Sequence, residues 1–384
     1  MRRKTRGALV NIALFCGVLL VILYLNGGGS SSKSFAWRTI RYKFSSASVP
    51  KSRGICPGLA DTTKPALVVA RVEADGDTKW FDELGQKYHL CIYTADAPVD
   101  ATSTYLQVPE NRGHEAMAYL TFIIDNYEHF PSAGAVFVHG SRWSWHNDAP
   151  DYDNAALLAA LNVSAALAPL GYHNLRCDWS ASTCPASDQN AQGSLGTSIN
   201  AMIEPWNQRL VSDAALPRAL VALFGGDGNT ADQGQLLMGR NDAIRSQCCA
   251  QFVVTRESVW QHSREEYVAL RQWLLDGSSV RVETLRQSNA AHPDDRIAGR
   301  ILSYVWHILF LRAGETSADT LPNAMNGHID LEKLNYLACP TAEECYCRLY
   351  GRCNLDRCSA GRCAGQYEIP PGFRLPSDWA EKHS

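Results

Sequence analysis

The chain has 384 residues, 46% of them hydrophobic and 20% charged, a composition typical of a globular protein rather than a disordered one. Its charge is segregated: residues 1–55 hold ten Lys and Arg and no Asp or Glu, which leaves 26 basic and 39 acidic residues beyond them. This acidic remainder, with a net charge of −13, lacks the basic surface that nucleic acids require and excludes nucleic-acid binding.

The N-terminus predicts a membrane segment. Four of the first six residues are basic, and an apolar run over residues 8–25 follows, interrupted only by Asn11. As a helix, these 18 residues span about 27 Å at ~1.5 Å per residue, enough for a thin internal membrane. We therefore expect a cytosolic tail at 1–6 and an uncleaved signal-anchor at 7–25. The alternative is a signal peptide removed after the small residues 27–32.

The central part of the chain predicts one α/β domain. Residues 26–63 begin rich in Gly, Ser and basic residues and are predicted to form a flexible stem. From 64 to 335, strand and helix patterns alternate, which predicts a mostly parallel, Rossmann-like sheet with flanking helices. The first predicted elements are a strand at 66–72, a helix at 78–87, strands at 90–93 and 105–108, a helix at 116–127 and a strand at 135–138.

The later elements are less regular. Residues 154–167 are predicted to form a helix carrying the sequon Asn162-Val163-Ser164, so Asn162 is the expected glycosylation site. The remaining predicted elements are strands at 218–224 and 251–255, a helix at 263–275 with a capping box, and a strongly apolar helix at 297–311.

Cysteine usage predicts an oxidising compartment. Of 13 cysteines, Cys16 lies in the apolar N-terminal run and the other 12 suit disulfides. Cys177 and Cys184 are spaced for a small disulfide loop, whereas the adjacent Cys248 and Cys249 are expected to bond to different partners. The tail at 336–384 holds six cysteines and is predicted to be disulfide-rich. Its spacing disfavours zinc.

The same features predict the location of the protein. A basic N-terminus, an anchor and a disulfide-bonded domain describe a single-pass membrane protein of the endoplasmic reticulum or Golgi with a lumenal C-terminus. Secretion or display at the cell surface is the alternative.

Several motifs run through the domain. They include Asn-Arg-Gly-His-Glu at 111–115, Phe-Val-His-Gly-Ser-Arg-Trp-Ser-Trp-His-Asn-Asp at 137–148 and Cys-Tyr-Cys-Arg-Leu-Tyr-Gly-Arg-Cys at 345–353. In combination the chain resembles the fungal family known as domain of unknown function 3431 over roughly residues 64–353. That resemblance implies no established activity. The chain departs from the family pattern at Arg112 and His114, where Lys and Arg are frequent, and at Ser303, where a Glu is frequent. If that Glu is catalytic, this protein is impaired.

At the level of the fold the chain also resembles A-type glycosyltransferases. The shared features are the strand at 66–72 followed by acidic residues, the Gly-x-Glu helix start at 113–115 and the Ala-Gln-Phe strand at 250–252. This resemblance implies a nucleotide-sugar, a glycan acceptor and a divalent metal such as Mn, held by an Asp-x-Asp pair after the strand at 135–139. His139-Gly140 occupies that place, which implies that the metal is absent or that His139, His146 and Asp148 replace the acids.

The stretch 111–148 is the predicted site, because open α/β sheets bind ligands at strand ends. Glu115, at a helix start, is the candidate base or hydroxyl ligand, and Asp148 is the second catalytic candidate. His139 and His146 are the candidate metal ligands. The predicted substrate-binding residues are Arg71 and Arg176 as phosphate clamps, Asn111 and Gly113 at the helix start, and Trp145 as a stacking surface. Arg256 is a further candidate phosphate clamp.

Structural roles compete with these functional interpretations. His139 suits a backbone hydrogen bond at a strand end, and Glu115 suits the dipole of its helix. The literal Asp-x-Asp at 151–153 precedes a helix, where capping is favoured. Gly-Gly-Asp-Gly-Asn at 225–229 favours a turn over a Ca²⁺ loop, and His307 is expected to be a core histidine.

Three functions are consistent with these residues. The leading hypothesis is a lumenal glycosyltransferase-like enzyme that uses a nucleotide-sugar. The alternative from another class is a non-catalytic module that binds carbohydrate or protein in the lumen. A metal-dependent hydrolase is the third, and it requires His139, His146 and Asp148 to converge.

Overall fold

A six-stranded sheet forms the centre of the fold. The computed structural model describes residues 3–26, 34–43, 51–185, 190–226, 235–281, 288–312, 328–369 and 371–379. The strands of the sheet are β2 (Ala66–Arg71), β3 (His89–Thr94), β4 (Leu106–Gln107), β5 (Ala135–His139), β6 (Tyr172–Asn174) and β7 (Phe252–Val254), and β1 (Ser34–Phe35) pairs separately with β8 (Ile329–Asp330).

Twelve helices lie in the described part of the chain. They are α1 (Arg3–Asn26), α2 (Glu115–Asp125), α3 (Asn154–Ala160), α4 (Val163–Leu167), α5 (Leu195–Ile203), α6 (Gln208–Gly225), α7 (Arg256–Val259), α8 (Arg264–Gly277), α9 (Asp295–Ser303), α10 (Trp306–Phe310), α11 (Leu331–Ala338) and α12 (Ala342–Tyr350).

The sheet is mostly parallel, as the sequence predicts. Its order is β4-β3-β2-β5-β7-β6; the first four strands run parallel, and β7 runs antiparallel to both β5 and β6. The chain moves outward from β2 through β3 to β4 and then crosses back to β5 on the other side of β2. The crevice beside the carboxyl ends of β2 and β5 is therefore a topological switch point, where ligands bind in open α/β folds.

Both faces of the sheet are covered. Along β2, Val68 points into the core formed with α2, α8, α9 and α10, while Leu67 and Val69 point into the core on the opposite face. That second core includes Tyr346 and Leu349 of α12. Continuous apolar strands such as β2 result from this burial on two sides. The predicted tail at 336–384 is thus packed into the domain.

Several predicted elements have different boundaries. The predicted strand at 218–224 is wrong, because these residues belong to α6, where Leu216, Leu220 and Leu223 are buried at helical spacing. The predicted helix at 154–167 is interrupted at Leu161, and Asn162 caps α4. The predicted helix at 297–311 is two helices, α9 and α10, and the predicted helix at 78–87 is a pair of 3₁₀ turns at Lys79–Phe81 and Glu83–Gln86.

The stem prediction over 26–63 is wrong for the described residues 34–43 and 51–63. Phe35, Trp37 and Ile40 are buried in the core. The Trp37 Nε1–H donates to the Leu236 carbonyl oxygen at 3.2 Å, and the Ile40 amide donates to Glu266 at 2.9 Å. A low-complexity composition concealed these aromatic anchors. Residues 27–33 and 44–50 lie outside the described part.

The predicted Cys177–Cys184 disulfide is wrong. Cys177 bonds to Cys345 and Cys184 bonds to Cys339, with Cα–Cα distances of 5.4 and 5.6 Å. The loop between the two cysteines is thus held against α11 and α12 instead of being closed on itself. The other pairs are Cys56–Cys91, Cys347–Cys353, Cys358–Cys363 and Cys248–Cys249, the last correcting the expectation of separate partners.

The N-terminal helix α1 has 24 residues. Within α1, the structure gives the exposure of Gly7 and of residues 10–21, and all of them are exposed. Within the described part of the chain, no helix combines the length and the apolar character needed to cross a membrane.

Candidate functional site

A cavity of about 710 Å³ opens at the carboxyl end of β5. The last residue of that strand, His139, lines it, together with His146 and Trp145 from the loop that follows. The start of α2, one face of α9, the start of α6 and the segment 246–250 supply the other walls. The cavity therefore lies next to the switch point, where sequence analysis expects a site.

The starts of α2 and α9 are tied together beneath the cavity. The Asp295 carboxylate accepts hydrogen bonds from the Gly113 amide and, at 3.0 Å, from Arg112. The Arg112 guanidinium also donates to the carbonyl oxygens of Leu274 and Pro293, at 3.2 and 3.0 Å. This network fixes where the first residues of both helices point.

Glu115 is the one carboxylate among the side chains that line the cavity. It is the first residue of α2 and is half-buried, a position in which the helix dipole stabilises its negative charge. It makes no hydrogen bond or ion pair with the rest of the described chain. Its oxygens are available to a ligand, and its predicted role stays a prediction.

Three arginines line the cavity opposite this single acid. Arg296 and Arg300 lie one turn apart on α9, and Arg209 is the second residue of α6. Gly299 allows the close approach, because a Cβ at this position would lie 3.0 Å from His114 Cδ2 and 3.1 Å from the Gly113 carbonyl oxygen. The cavity therefore carries a net positive charge and suits an anionic ligand.

Arg300 has an unusual environment. Its guanidinium lies 5.9 Å from the Tyr304 ring centroid, and its buried Nε has no hydrogen-bond partner. The Tyr304 hydroxyl donates to Asp213 at 2.7 Å. Burial raises the pKa of Asp213, against the opposing effects of that hydrogen bond and the charge of Arg300. Within the described residues Arg300 makes no close ion pair, and its side chain interacts with Tyr304 and with the charge of Asp213.

The two predicted metal histidines face the cavity, and one ring nitrogen of each is engaged in a hydrogen bond. The His139 Nε2–H donates to the Cys249 carbonyl oxygen at 2.8 Å, and His146 Nδ1 lies 2.6 Å from Ser144 Oγ. Their rings stack with centroids 5.2 Å apart. Among the described residues, the one three-residue group with ligand-like spacing is Cys56, His89 and Cys91, and the two sulfurs are joined in a disulfide.

Asp148 is not at the cavity, so its predicted catalytic role is wrong. It is buried, and its carboxylate accepts hydrogen bonds from the Cys177 amide at 2.7 Å, from the Tyr346 hydroxyl at 2.9 Å and from the Tyr367 hydroxyl. The two tyrosines belong to the tail, to which the acid anchors the loop after β5, and the Cys177 amide comes from the segment after β6. The set His139, His146 and Asp148 does not fit a divalent metal.

Arg71 and Arg176 are structural, contrary to the prediction that they clamp phosphate. Arg71 is buried at the end of β2, donates to the Gly76 carbonyl oxygen at 3.2 Å and stacks 4.7 Å over the Tyr105 ring. Arg176 is 2% exposed and donates to the Trp145 carbonyl oxygen at 2.9 Å. It holds the backbone that carries Trp145 and His146, and therefore positions the cavity wall.

The remaining predictions divide between cavity and scaffold. Asn111 is exposed and does not line the cavity, and the Gly113 amide is occupied by Asp295, so neither binds substrate there. Trp145 does line it. Asp153 caps α3, the structural role that the sequence favours for the Asp-x-Asp at 151–153. His307 is the expected core histidine, and its two buried ring nitrogens have no partner among the described residues. Residues 227–229 of the glycine-rich segment lie outside the described part.

Sequence analysis missed Arg209, Arg296, Arg300 and Trp206. The signal was present in part, because Arg296, Arg300 and Ser303 follow helical spacing on a helix whose other face is apolar. The segment 246–250, with the Cys248–Cys249 pair, also lines the cavity. It carries no charge pattern that would mark it. The structure thus defines an α/β protein with a cationic cavity at its switch point.

The chain belongs to the family described as "Protein of unknown function (DUF3431)", whose model matches residues 67–348. The match spans the sheet, the cavity and most of α12, and it confirms the resemblance on the motifs. No curated protein matches the chain significantly, and no solved structure does.

Proposed function

We propose that this protein is a glycosyltransferase-like enzyme that binds a nucleotide-sugar in the cavity at the end of β5. The observation that carries the proposal is the lining: three arginines and one free carboxylate beside a topological switch point. A nucleotide-sugar brings a diphosphate, which needs cationic donors, and a sugar with hydroxyl groups, which suits a carboxylate.

The arginines are the proposed diphosphate ligands. Arg296 and Arg300 present two guanidinium forks from adjacent turns of α9, and Arg209 approaches from α6. A planar fork makes paired hydrogen bonds to phosphate oxygens, and its charge stabilises the diphosphate as it leaves. Because the histidine and aspartate set does not suit a metal, we assign charge neutralisation to these arginines and derive no step through Mn.

Aromatic rings at the cavity support binding of a base or a sugar. Trp145 packs against His146 with ring centroids 4.2 Å apart, and Trp206 is 75% exposed. A flat ring offers apolar area to the C–H face of a sugar or the plane of a base. Trp145 lies in the loop after β5 and Trp206 lies just before α6, so each contributes a flat surface to the cavity lining.

Glu115 is the proposed general base. Its carboxylate oxygen takes the proton of an acceptor hydroxyl as that oxygen bonds to the anomeric carbon. The bond from this carbon to the diphosphate oxygen breaks, and the electron pair leaves with the diphosphate toward the arginines. Protons and charge balance within this step, and it needs no oxidant or reductant.

The test is binding and turnover by the full chain. Purified protein is titrated with a panel of uridine and guanosine diphosphate sugars, with and without Mn, and sugar release is followed. We expect E115Q to lower turnover by about 10²–10⁴ with little change in Kd. R300A should weaken binding by about ten- to a hundredfold, because hydrogen bonds to charged groups contribute about 1.5–3 kcal/mol.

R256A is the matched control, because Arg256 pairs with Glu257 and stacks on Trp260 and does not line the cavity. It should bind and turn over like the natural chain. If no nucleotide-sugar in the panel binds or reacts, the proposal fails.

One observation favours the non-catalytic alternative, a carbohydrate-binding lumenal module. Ser303 lines the cavity at the position where the motif resemblance implies a frequent Glu. If that Glu is needed for turnover, this chain binds without reacting. Nucleotide-sugar or glycan binding without sugar release in the same assays, with turnover appearing in S303E, supports the alternative over the enzyme.

The proposed location is the lumen of the secretory pathway, behind an N-terminal signal-anchor. Support comes from the apolar run at 8–25, the exposed apolar side chains of Leu14, Phe15 and Leu20 on α1, and the disulfides of the domain. Asn162 is exposed as the cap residue of α4. Secretion remains the alternative.

A further inference from the structure

One side of α5 is apolar and exposed. The residues Leu195, Ile199, Met202 and Ile203 repeat at helical spacing and are 53, 39, 68 and 64% exposed. No charged residue lies within the helix, while the opposite side carries the buried Thr197 and packs against α6. We call these four side chains, together with Trp206, the α5 patch. Contiguous exposed apolar side chains of this kind mark an interaction surface.

The α5 patch is continuous with the point where the N-terminal segment joins the domain. The Ala36 amide donates to the Gln235 carbonyl oxygen at 3.2 Å, so the first residues of the domain lie along the segment 235–239. Gly193, two residues before α5, is in close contact with the Gly239 carbonyl oxygen. Leu237, between these contacts, is 59% exposed. The apolar surface thus extends to α5 from the place where the N-terminal segment joins the domain.

The tether is short. Seven residues, 27–33, separate the end of α1 from Ser34. The eight residue steps from Asn26 to Ser34 reach at most about 28 Å when fully extended, at ~3.5 Å per step. If residues 8–25 enter a bilayer, the domain cannot leave its surface, and the local concentration of lipid next to the α5 patch is high.

We propose that the α5 patch and Leu237 rest on the lipid bilayer that the N-terminal segment enters. This inference rests on the anchor of the proposed function. A short helix with apolar residues on one side and a tryptophan at its end suits the interface between headgroups and acyl chains.

The orientation has a consequence for the ligand. Trp206 belongs to the α5 patch and also lines the cavity, as does Arg209. With the patch on the bilayer, the cavity opens beside the headgroups. The substrate class that fits is an amphiphile whose polar head enters the cavity while its chain stays in the membrane, which deepens the proposed function to a lipid-linked acceptor.

The experiment maps lipid contacts along the full chain. The protein is reconstituted into phosphatidylcholine and phosphatidylserine vesicles containing a trace of diazirine-bearing phosphatidylcholine, irradiated, digested and analysed by mass spectrometry. We expect lipid adducts on residues 8–25, on 195–206 and at Leu237. Adducts on 8–25 without any on 195–206 overturn the inference and leave the proposed function standing. An absence of adducts on 8–25 overturns the anchor itself.

A surface variant provides the second arm. The triple variant I199S/M202S/I203S should lose adducts on 195–206 by more than about tenfold, because each apolar side chain adds to the free energy of insertion. Y336S is the control, because Tyr336 is 72% exposed on α11 and lies outside the patch. If the natural chain sediments as a dimer in detergent and the triple variant as a monomer, a second copy covers the patch and the lipid inference is wrong.

Discussion

At the scale of the residue, burial lowers the pKa of two histidines. His307 and His173 are fully enclosed, and burial lowers the pKa of His307 to about 3 and of His173 to about 4, the latter against a hydrogen bond to the Asn174 carbonyl. An ordinary histidine titrates near 6.5. Both imidazoles are therefore neutral in the folded protein above about pH 4.

We predict that acid destabilises the fold through these two groups. Between about pH 4 and 6.5 the unfolded chain binds protons that the folded chain does not, so the free energy of unfolding decreases as pH falls. The expected slope is up to ~1.4 kcal/mol per pH unit for each histidine. H307L should lower this slope by the contribution of one histidine, up to ~1.4 kcal/mol per pH unit. The measurement is the free energy of unfolding in urea from pH 7 to 5.

H129Q is the control, because His129 is exposed. Its slope should match that of the natural chain. An unchanged slope in H307L would show that this imidazole is protonated or hydrogen-bonded in the folded protein.

At the scale of the element, the switch point depends on close contact between β2 and the turn after β5. A Cβ at Gly140 would overlap the Arg71 side chain and would lie 2.8 Å from the Arg71 Cα and 2.7 Å from Asp75. Only a residue without a side chain lets the two strand ends approach this closely. The same approach directs His139 and the following loop toward the cavity.

We therefore predict that G140A lowers the free energy of unfolding by about 1–3 kcal/mol, the usual cost of overpacking, and weakens nucleotide-sugar binding. G85A is a matched control, because its nearest new contact, with Leu90 Cδ1, would be an ordinary 3.8 Å. Chemical denaturation and ligand titration measure both effects. Equal stability of G140A and G85A contradicts the role assigned to Gly140.

At the scale of the whole molecule, the disulfides join distant parts of the chain. Cys177–Cys345 and Cys184–Cys339 span 168 and 155 residues, and they hold the loop beside the cavity against the tail. Bonds of this kind persist in an oxidising compartment. They support the proposal that the domain lies in a secretory lumen, on the same side as the sequon.

We predict that Asn162 carries a glycan when the full chain is made in a eukaryotic secretory pathway. Asn162 is exposed, and it begins a short surface helix, which a glycan would leave intact. Digestion with an endoglycosidase should increase gel mobility by one glycan, and N162Q should migrate like the digested protein. S198A, which lies outside any sequon, should shift like the natural chain. No shift in the natural chain places the domain on the cytosolic side or leaves the site unused.

Local pattern predicted much of the fold. Strands β2, β3 and β5 and helix α2 are buried runs or faces whose spacing marks them regardless of their neighbours. Failures occurred where the signal is not local. The run at 218–224 has the same apolar content as a strand, and only its packing against α9 makes it part of a helix.

The sequence by itself determined the α/β class and the family, because periodicity and motifs are properties of neighbouring residues. It also predicted a site at the end of β5 with Glu115 and Trp145, and both residues line the cavity there. Only the tertiary structure decided that Asp148, Arg71 and Arg176 are scaffold and that arginines from α6 and α9 line the cavity. The physical reason is that a polar side chain finds its partners on other segments of the chain, such as Tyr346 for Asp148 and Trp145 for Arg176, and the residues next to it in the sequence do not reveal those partners.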